Sequence, residues 1–539
     1  MNRQILLLAV FITGSMNLMA QQKIFHTSSD AIRLLQDDFE STWKVNPELK
    51  PDILETTASS IAFISDNDSI IIDNLKDWES FDFVILTNKG DSAEVRVTRK
   101  AVNPFENPNP ELLKIAPSGM LSKRQATFDI DGLIYGLSQV HPDIFSVCKQ
   151  EDLLRAVNKA KESLPDSVTL IQLYSVTAPI VSMIGDGHTS LEFPYDDFFT
   201  SELKRLPLFV NVLPDSSIIC NSSLDSIIKR GDKILSINGK SADNMIDDMM
   251  CFVSGEKPHY RLSGVNSSFQ ALFNMLYPSD IYDIIYQPKE SEEILSVSFP
   301  AITFDEIKKR CPRTSNGGNY DNYSYTIDRT NNVAIMDFRH FYDAERMEHF
   351  ADSMFRELSE NNINNLIIDI RNNGGGNSRV GDVLLRYISP EPYVQMDKAL
   401  IRITPLTAKL MGSQESPMFT FWEADSTDYI QPRSKEEGHY NGNVYLLTSN
   451  QTFSSAASFA WAFKECKMGK VIGEETGGMN VSYGDILPYS LPISKLTTYI
   501  PFKRFWQLRA DENDIHGTLP DINVPSSEAL TKALEIILE

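Results

Sequence analysis

Three stretches carry residue types that could do chemistry. In the first, the largely apolar run Leu366-Ile367-Ile368-Asp369-Ile370 leads through Arg371-Asn372-Asn373 into three consecutive glycines, Gly374-Gly375-Gly376. Glycines let backbone N–H groups come close to a ligand and turn toward it, as an oxyanion hole or a phosphate cradle requires. No Gly-Lys-Ser/Thr follows, so the spacing does not fit a P-loop, and a plain sharp turn explains three glycines equally well. The second stretch is Thr452-Phe453-Ser454-Ser455-Ala456-Ala457-Ser458, small residues opening a helix whose later face is apolar. A serine on a first helical turn gains from free N–H groups and the helix dipole, which favour developing negative charge. Ser454 or Ser455 as an ordinary N-cap is the commoner use of such a residue. The third is Gly185-Asp186-Gly187-His188-Thr189, where two glycines bracket an acid just before a histidine. A serine hydroxyl is a weak nucleophile until a base takes its proton, and a neutral imidazole is that base at pH 7. Among eight histidines His188 is best placed by local sequence and His516 is the reserve, although a lone histidine is more often structural.

The elements that must position these residues read as an α/β alternation over the second half of the chain. Val333–Phe338, Asn365–Ile370 and Val444–Thr448 are strand-like, and Ala344–Ser359, Val380–Tyr387 and Ser455–Cys466 are helix-like, which argues an α/β core. Ahead of it, residues 128–184 repeat apolar positions at helical spacing, as in Leu133, Leu137 and Val140. His188 follows them at a turn that leads into a strand. Between about 205 and 300, Lys229-Arg230-Gly231-Asp232-Lys233-Ile234-Leu235-Ser236-Ile237-Asn238-Gly239 places a Gly-Asp turn, a short strand and an Asn-Gly turn in the order that PDZ-type domains use. That segment resembles a PDZ domain without a convincing carboxylate-binding loop. Nearer the start, Ser80–Thr87 and Glu94–Thr98 read as a hairpin, and the run Asn103–Pro110, rich in Pro and Asn, reads as a linker.

Length and composition fit this division. With 539 residues, several domains are expected, and 42% hydrophobic against 23% charged residues is ordinary for globular protein. Arg3, the apolar run Ile5–Ile12 and Ala20 before Gln21 read as an export signal spanning residues 1–20, with cleavage expected after Ala20. That run is too short to span a bilayer, and no later stretch comes close. The expected protein is therefore periplasmic or extracellular and soluble after cleavage. The five cysteines show no C-x-x-C pair and no histidine spacing suggestive of zinc, so neither a metal nor a disulfide scaffold is expected. A formal net charge of −23 would repel a phosphate backbone, which argues against nucleic acid as a partner.

Taken in order, Gly185-Asp186-Gly187-His188-Thr189, Ile368-Asp369-Ile370-Arg371-Asn372-Asn373-Gly374-Gly375, Ser454-Ser455-Ala456-Ala457-Ser458, Gly473-Glu474-Glu475-Thr476-Gly477-Gly478 and Gly517-Thr518-Leu519-Pro520-Asp521-Ile522 resemble the tail-specific (C-terminal processing) serine protease family, over about residues 128–535. The resemblance implies a multidomain α/β protein: a signal peptide (1–20), a mixed, β-rich N-terminal domain (21–123), a small helical module carrying His188 (124–200), a PDZ-like domain (201–300) and a crotonase/ClpP-like α/β protease core (301–539). One branch of the family uses a Ser-Lys dyad, but the position after Thr476-Gly477-Gly478 holds Met479, which is no amine base. The other branch, like the tricorn core, uses Ser and His.

On this resemblance Ser455 is the expected nucleophile, His188 its base, and the N–H groups of Ala456 and of Gly374 or Gly375 the oxyanion donors. Asp514 is the expected supporting acid, with Glu512 as the alternative. The branch places a serine before its histidine, and here Gly187 stands there. The implied activity is cleavage of unfolded proteins or peptides, near C-termini, without a cofactor. Two other classes compete: a peptide-binding pseudoprotease, for which the missing lysine and missing serine speak, and an α/β-hydrolase esterase, against which the absence of a Gly-x-Ser-x-Gly elbow speaks.

Overall fold

The computed structural model describes residues 105, 108–200, 204–310, 321–413, 420–426 and 428–539, together with the backbone of six strands between 40 and 99. The leader expected at residues 1–20 lies outside the described residues. The chain divides into two compact units, the first of residues 1–177, 402–421 and 487–502, the second of 178–401, 422–486 and 503–539.

In the first unit, Phe81–Thr87 pairs antiparallel with Ala93–Arg99, and Glu40–Val45 pairs with the other edge of the latter. A second small sheet joins Leu54–Thr56, Ser60–Ile64 and Ser69–Asp73. The helix Lys123–Val140 begins with a reciprocal capping box between Ser122 and Gln125, which satisfies orphan donors at its first turn. On this helix the buried Asp129 accepts the backbone N–H groups of Ile493 and Ser494, each at 2.7 Å.

The second unit is built on a sheet in the order Tyr323–Asp328, Val333–Phe338, Asn365–Asp369, Asn443–Thr448, Lys470–Gly473, Ile522–Asn523. The first pair is antiparallel and every later pair is parallel. Strands covered on both faces need apolar side chains on both, and Leu366, Ile367 and Ile368 are all fully buried in succession. One face packs on helices Ala344–Glu360, Ser378–Ile388 and Ser455–Glu465 through Phe338, Met354, Leu384 and Phe459. The other packs on Ala529–Leu538 through Ala529 and Ala533.

Parallel strands leave their carboxyl ends on one side, where loops of an open α/β sheet gather ligands. Here the loops that follow Asp369 and Thr448 meet there and are tied to one another. Asn373 Nδ2 donates to Phe338 O at 2.8 Å, Thr452 Oγ1 to Ile370 O at 2.9 Å, and Phe453 N–H to Asn373 O at 3.1 Å.

Also in this unit, Leu208–Val212, Ile218–Ser223, Lys233–Ile237, Ile281–Gln287 and Leu295–Pro300 form an antiparallel sheet, with helices Ala242–Met250 and Pro258–Leu276 inserted between its third and fourth strands. The Asn238-Gly239 turn is a true one, both residues having positive φ, +49° and +75°.

Candidate active site

The helix expected from Ser455 does begin there and runs to Glu465. Its N-cap is Ser454, held at φ +52°, ψ −129°, a conformation that non-glycine residues rarely adopt. Backbone strain of this kind costs on the order of 1–3 kcal/mol and persists only where the surroundings enforce it. The enforcement comes from the two loops just described and from Thr452 O, which accepts the N–H groups of Gly477 and Gly478 at 2.9 and 3.2 Å.

His188 Nε2 lies 2.9 Å from Ser454 Oγ. Ser455 does not meet the imidazole. Its hydroxyl turns inward and donates to Gly376 O at 2.5 Å, so the histidine that the sequence suggested for Ser455 contacts Ser454 instead. The reason is local: the first helical residue points its side chain back over the preceding loop, whereas the strained cap carries Ser454 Oγ out of the turn.

The two N–H groups expected to receive an oxyanion, those of Ala456 and Gly375, are already engaged. Ala456 N–H is engaged with Phe453 O at 3.1 Å, and Gly375 N–H with Asn373 Oδ1 at 2.9 Å. The N–H groups of Ser455 and Gly374 make no hydrogen bond among the described residues. Gly375, at φ +97°, lies so close to the cap that a Cβ on it would fall 2.8 Å from Ser454 Cβ and from Ser455 N.

His188 is fixed by its own turn. Asp186 Oδ1 accepts the N–H groups of His188 and Thr189 at 2.8 and 2.9 Å, and Gly187 N–H donates to Glu256 Oε2 at 3.0 Å. The imidazole rests on the Phe453 ring with centroids 4.5 Å apart, and Tyr260 stacks on Phe453 in turn at 4.3 Å. Burial pushes the imidazole below its ordinary value of 6.5, opposed by the charges of Asp186 and Asp485. A neutral base follows at pH 7. Burial, and the neighbouring Asp186 charge, push the Glu256 carboxyl up to about 8.

Among the described residues no carboxylate meets the far side of the ring, and His188 Nδ1 is buried without a hydrogen-bond partner. The two acids expected there are elsewhere: Asp514 is exposed and accepts the His516 N–H at 3.1 Å, and Glu512 accepts the Trp506 indole N–H at 2.7 Å. His516, the reserve base, pairs instead with Glu475 at 3.4 Å. Met479 forms an isolated antiparallel bridge with Gly517. Residue types and spacing alone do not single out Ser454 as the serine that meets His188, nor Asp186 and Glu256 as its neighbours. The glycines around Asp186 are its one signal, and Glu256 has none.

Residues 332–524 match the model of peptidase family S41. Solved structures with a similar fold include mature CPAF, at 14% identity over 77% of this chain and 96% of that one, with a TM-score of 0.54. A serine-to-alanine mutant of CPAF matches at 15% identity over the same 77% and 96%, with a TM-score of 0.55. The photosystem II D1 C-terminal processing protease matches at 13% identity over 77% of this chain and 97% of that one, with a TM-score of 0.38.

Proposed function

We propose that the chain, whose residues 332–524 match the model of peptidase family S41, is a serine-type peptidase that cleaves unfolded polypeptides with Ser454 as nucleophile and His188 as general base. His188 Nε2 takes the Ser454 proton as Oγ adds to the peptide carbonyl carbon. The carbonyl oxygen, now negative, accepts the N–H groups of Ser455 and Gly374. Collapse breaks the C–N bond, the amine leaves with the proton from His188, and water, deprotonated by the same imidazole, hydrolyses the acyl-enzyme.

The observation that carries this reading is the 2.9 Å contact between two residues 266 positions apart, at a strained cap beside unengaged N–H groups. A neutral imidazole and a strained serine turn are what general-base activation needs, and a plain N-cap needs neither. The antiparallel sheet of residues 208–300 is proposed to be PDZ-like and to receive an extended substrate segment. Export and a preference for chain ends are further parts of the proposal, the former resting on residues 1–20.

The test is hydrolysis of reduced, carboxymethylated casein, with new termini mapped by mass spectrometry, together with labelling by a fluorophosphonate that forms a covalent bond to an activated serine. Label on Ser454, lost in Ser454→Ala, supports the assignment. Label on Ser455, or undiminished casein cleavage by Ser454→Ala, sinks it.

A further inference from the structure

The turn that carries His188 is held from outside itself. Its Gly187 N–H is bound by Glu256, and its Asp186 carbonyl accepts the Ser254 hydroxyl at 2.6 Å. Both partners lie in the loop that joins the helices Ala242–Met250 and Pro258–Leu276, 68 to 69 residues along the chain. Gly187 leaves no room for a side chain, since a Cβ there would fall 2.6 Å from Phe453 Cζ and 2.8 Å from Tyr260 Cε1. A side-chain relay from that position to the imidazole is sterically closed. Besides the Phe453 ring under the imidazole, what fixes the histidine is the backbone of its turn, and hydrogen bonds to that backbone come from Asp186 and from the 254–256 loop.

We propose that Glu256 is the positioning residue for His188: by accepting the Gly187 N–H, with Ser254 bound to the adjacent carbonyl, it sets the imidazole on Ser454. This inference rests on the Ser454–His188 reading above. Glu256 faces two titratable groups, Asp186 from the turn and Tyr260 from the following helix. Two carboxyl groups enclosed so close together do not both ionise readily, and the proton resides on Glu256 at neutral pH. A protonated Glu256 accepts the Gly187 N–H through its carbonyl oxygen without repelling Asp186. An ionised one repels it and loosens the turn.

The experiment measures the rate of Ser454 labelling by the fluorophosphonate between pH 5 and 10 for wild type, Glu256→Ala, Glu256→Gln and Ser454→Ala, each checked by thermal melting. Misplacing a base by a fraction of an ångström to an ångström slows such a step by about tenfold to a hundredfold, and Glu256→Ala is expected to show that loss at pH 7. The wild-type rate is expected to fall above about pH 8, and Glu256→Gln, which keeps a carbonyl acceptor and cannot ionise, is expected to restore the rate at pH 7 and to abolish that fall. A folded Glu256→Ala that labels at the wild-type rate overturns the proposal. If that variant does not fold, Glu256→Gln decides, because a wild-type alkaline fall in it also overturns the proposal. Labelling that persists in Ser454→Ala defeats the active-site reading itself, whatever the Glu256 variants do.

Discussion

His188 Nε2 and Ser454 Oγ stand 2.9 Å apart, while Ser455, the very next residue, commits its hydroxyl to Gly376 O. One helical boundary thereby gives two adjacent serines different partners. Ser454→Ala is expected to lower casein turnover by at least about 10⁴-fold, the scale on which loss of a nucleophile falls. Ser455→Ala keeps the backbone N–H and gives up one neutral hydrogen bond, so it should cost about 1 kcal/mol in stability and less than about tenfold in turnover. Parallel kcat measurements and urea melts on the two variants check the contrast.

Strain at the cap gives a second expectation. At φ +52° an alanine is as strained as the serine, whereas glycine is not. Ser454→Gly should therefore be about 1 kcal/mol more stable than Ser454→Ala, with both inactive. Equal urea midpoints for the two would show that the turn is not held under strain.

Acid should act through His188. Its folded-state value is depressed below 6.5 by burial, so as pH falls from 6.5 the unfolded chain takes the proton first. Stability from this group is intact above about pH 6.5 and is lost as pH falls toward the folded value. Activity should follow the folded value, with an acidic limb whose midpoint lies below 6.5. Labelling rates and melting temperatures across pH 4 to 8, compared with His188→Gln, measure both.

Restoring the serine that the Ser-His branch carries before its histidine should harm this enzyme. In Gly187→Ser the new Cβ meets the Phe453 ring at 2.6 Å, and that ring is what the imidazole rests on. Turnover is expected to drop by about a hundredfold, with destabilisation of about 1–3 kcal/mol from overpacking. A gain in activity would mean that the aromatic stack yields to accommodate a relay.

Much of the core is legible in the amino-acid sequence. Apolar runs at Val333–Phe338, Asn365–Asp369 and Asn443–Thr448 are strands because both faces of a parallel sheet are covered, and uninterrupted apolarity is what such strands look like. The helix start at Ser455 is legible as well, yet the choice between two serines is not. It turns on a single positive φ that the residue types do not encode. Asp514 is suggested by its place beside Gly517, but the chain there folds Asp514 back on the His516 amide. Glu256 lies in a loop with no motif, and only the folded chain brings it against Gly187.

The separation of 266 residues between the imidazole and the hydroxyl has a bearing on the life of the molecule. A nascent polypeptide that has emerged through His188 still lacks its partner, and a molecule that has lost its long-range packing forfeits the contact again. Under the mechanism proposed above, hydrolytic competence coincides with completion of the fold. Half-made or damaged copies, whose loose segments are the kind of substrate proposed here, would themselves lack the assembled pair.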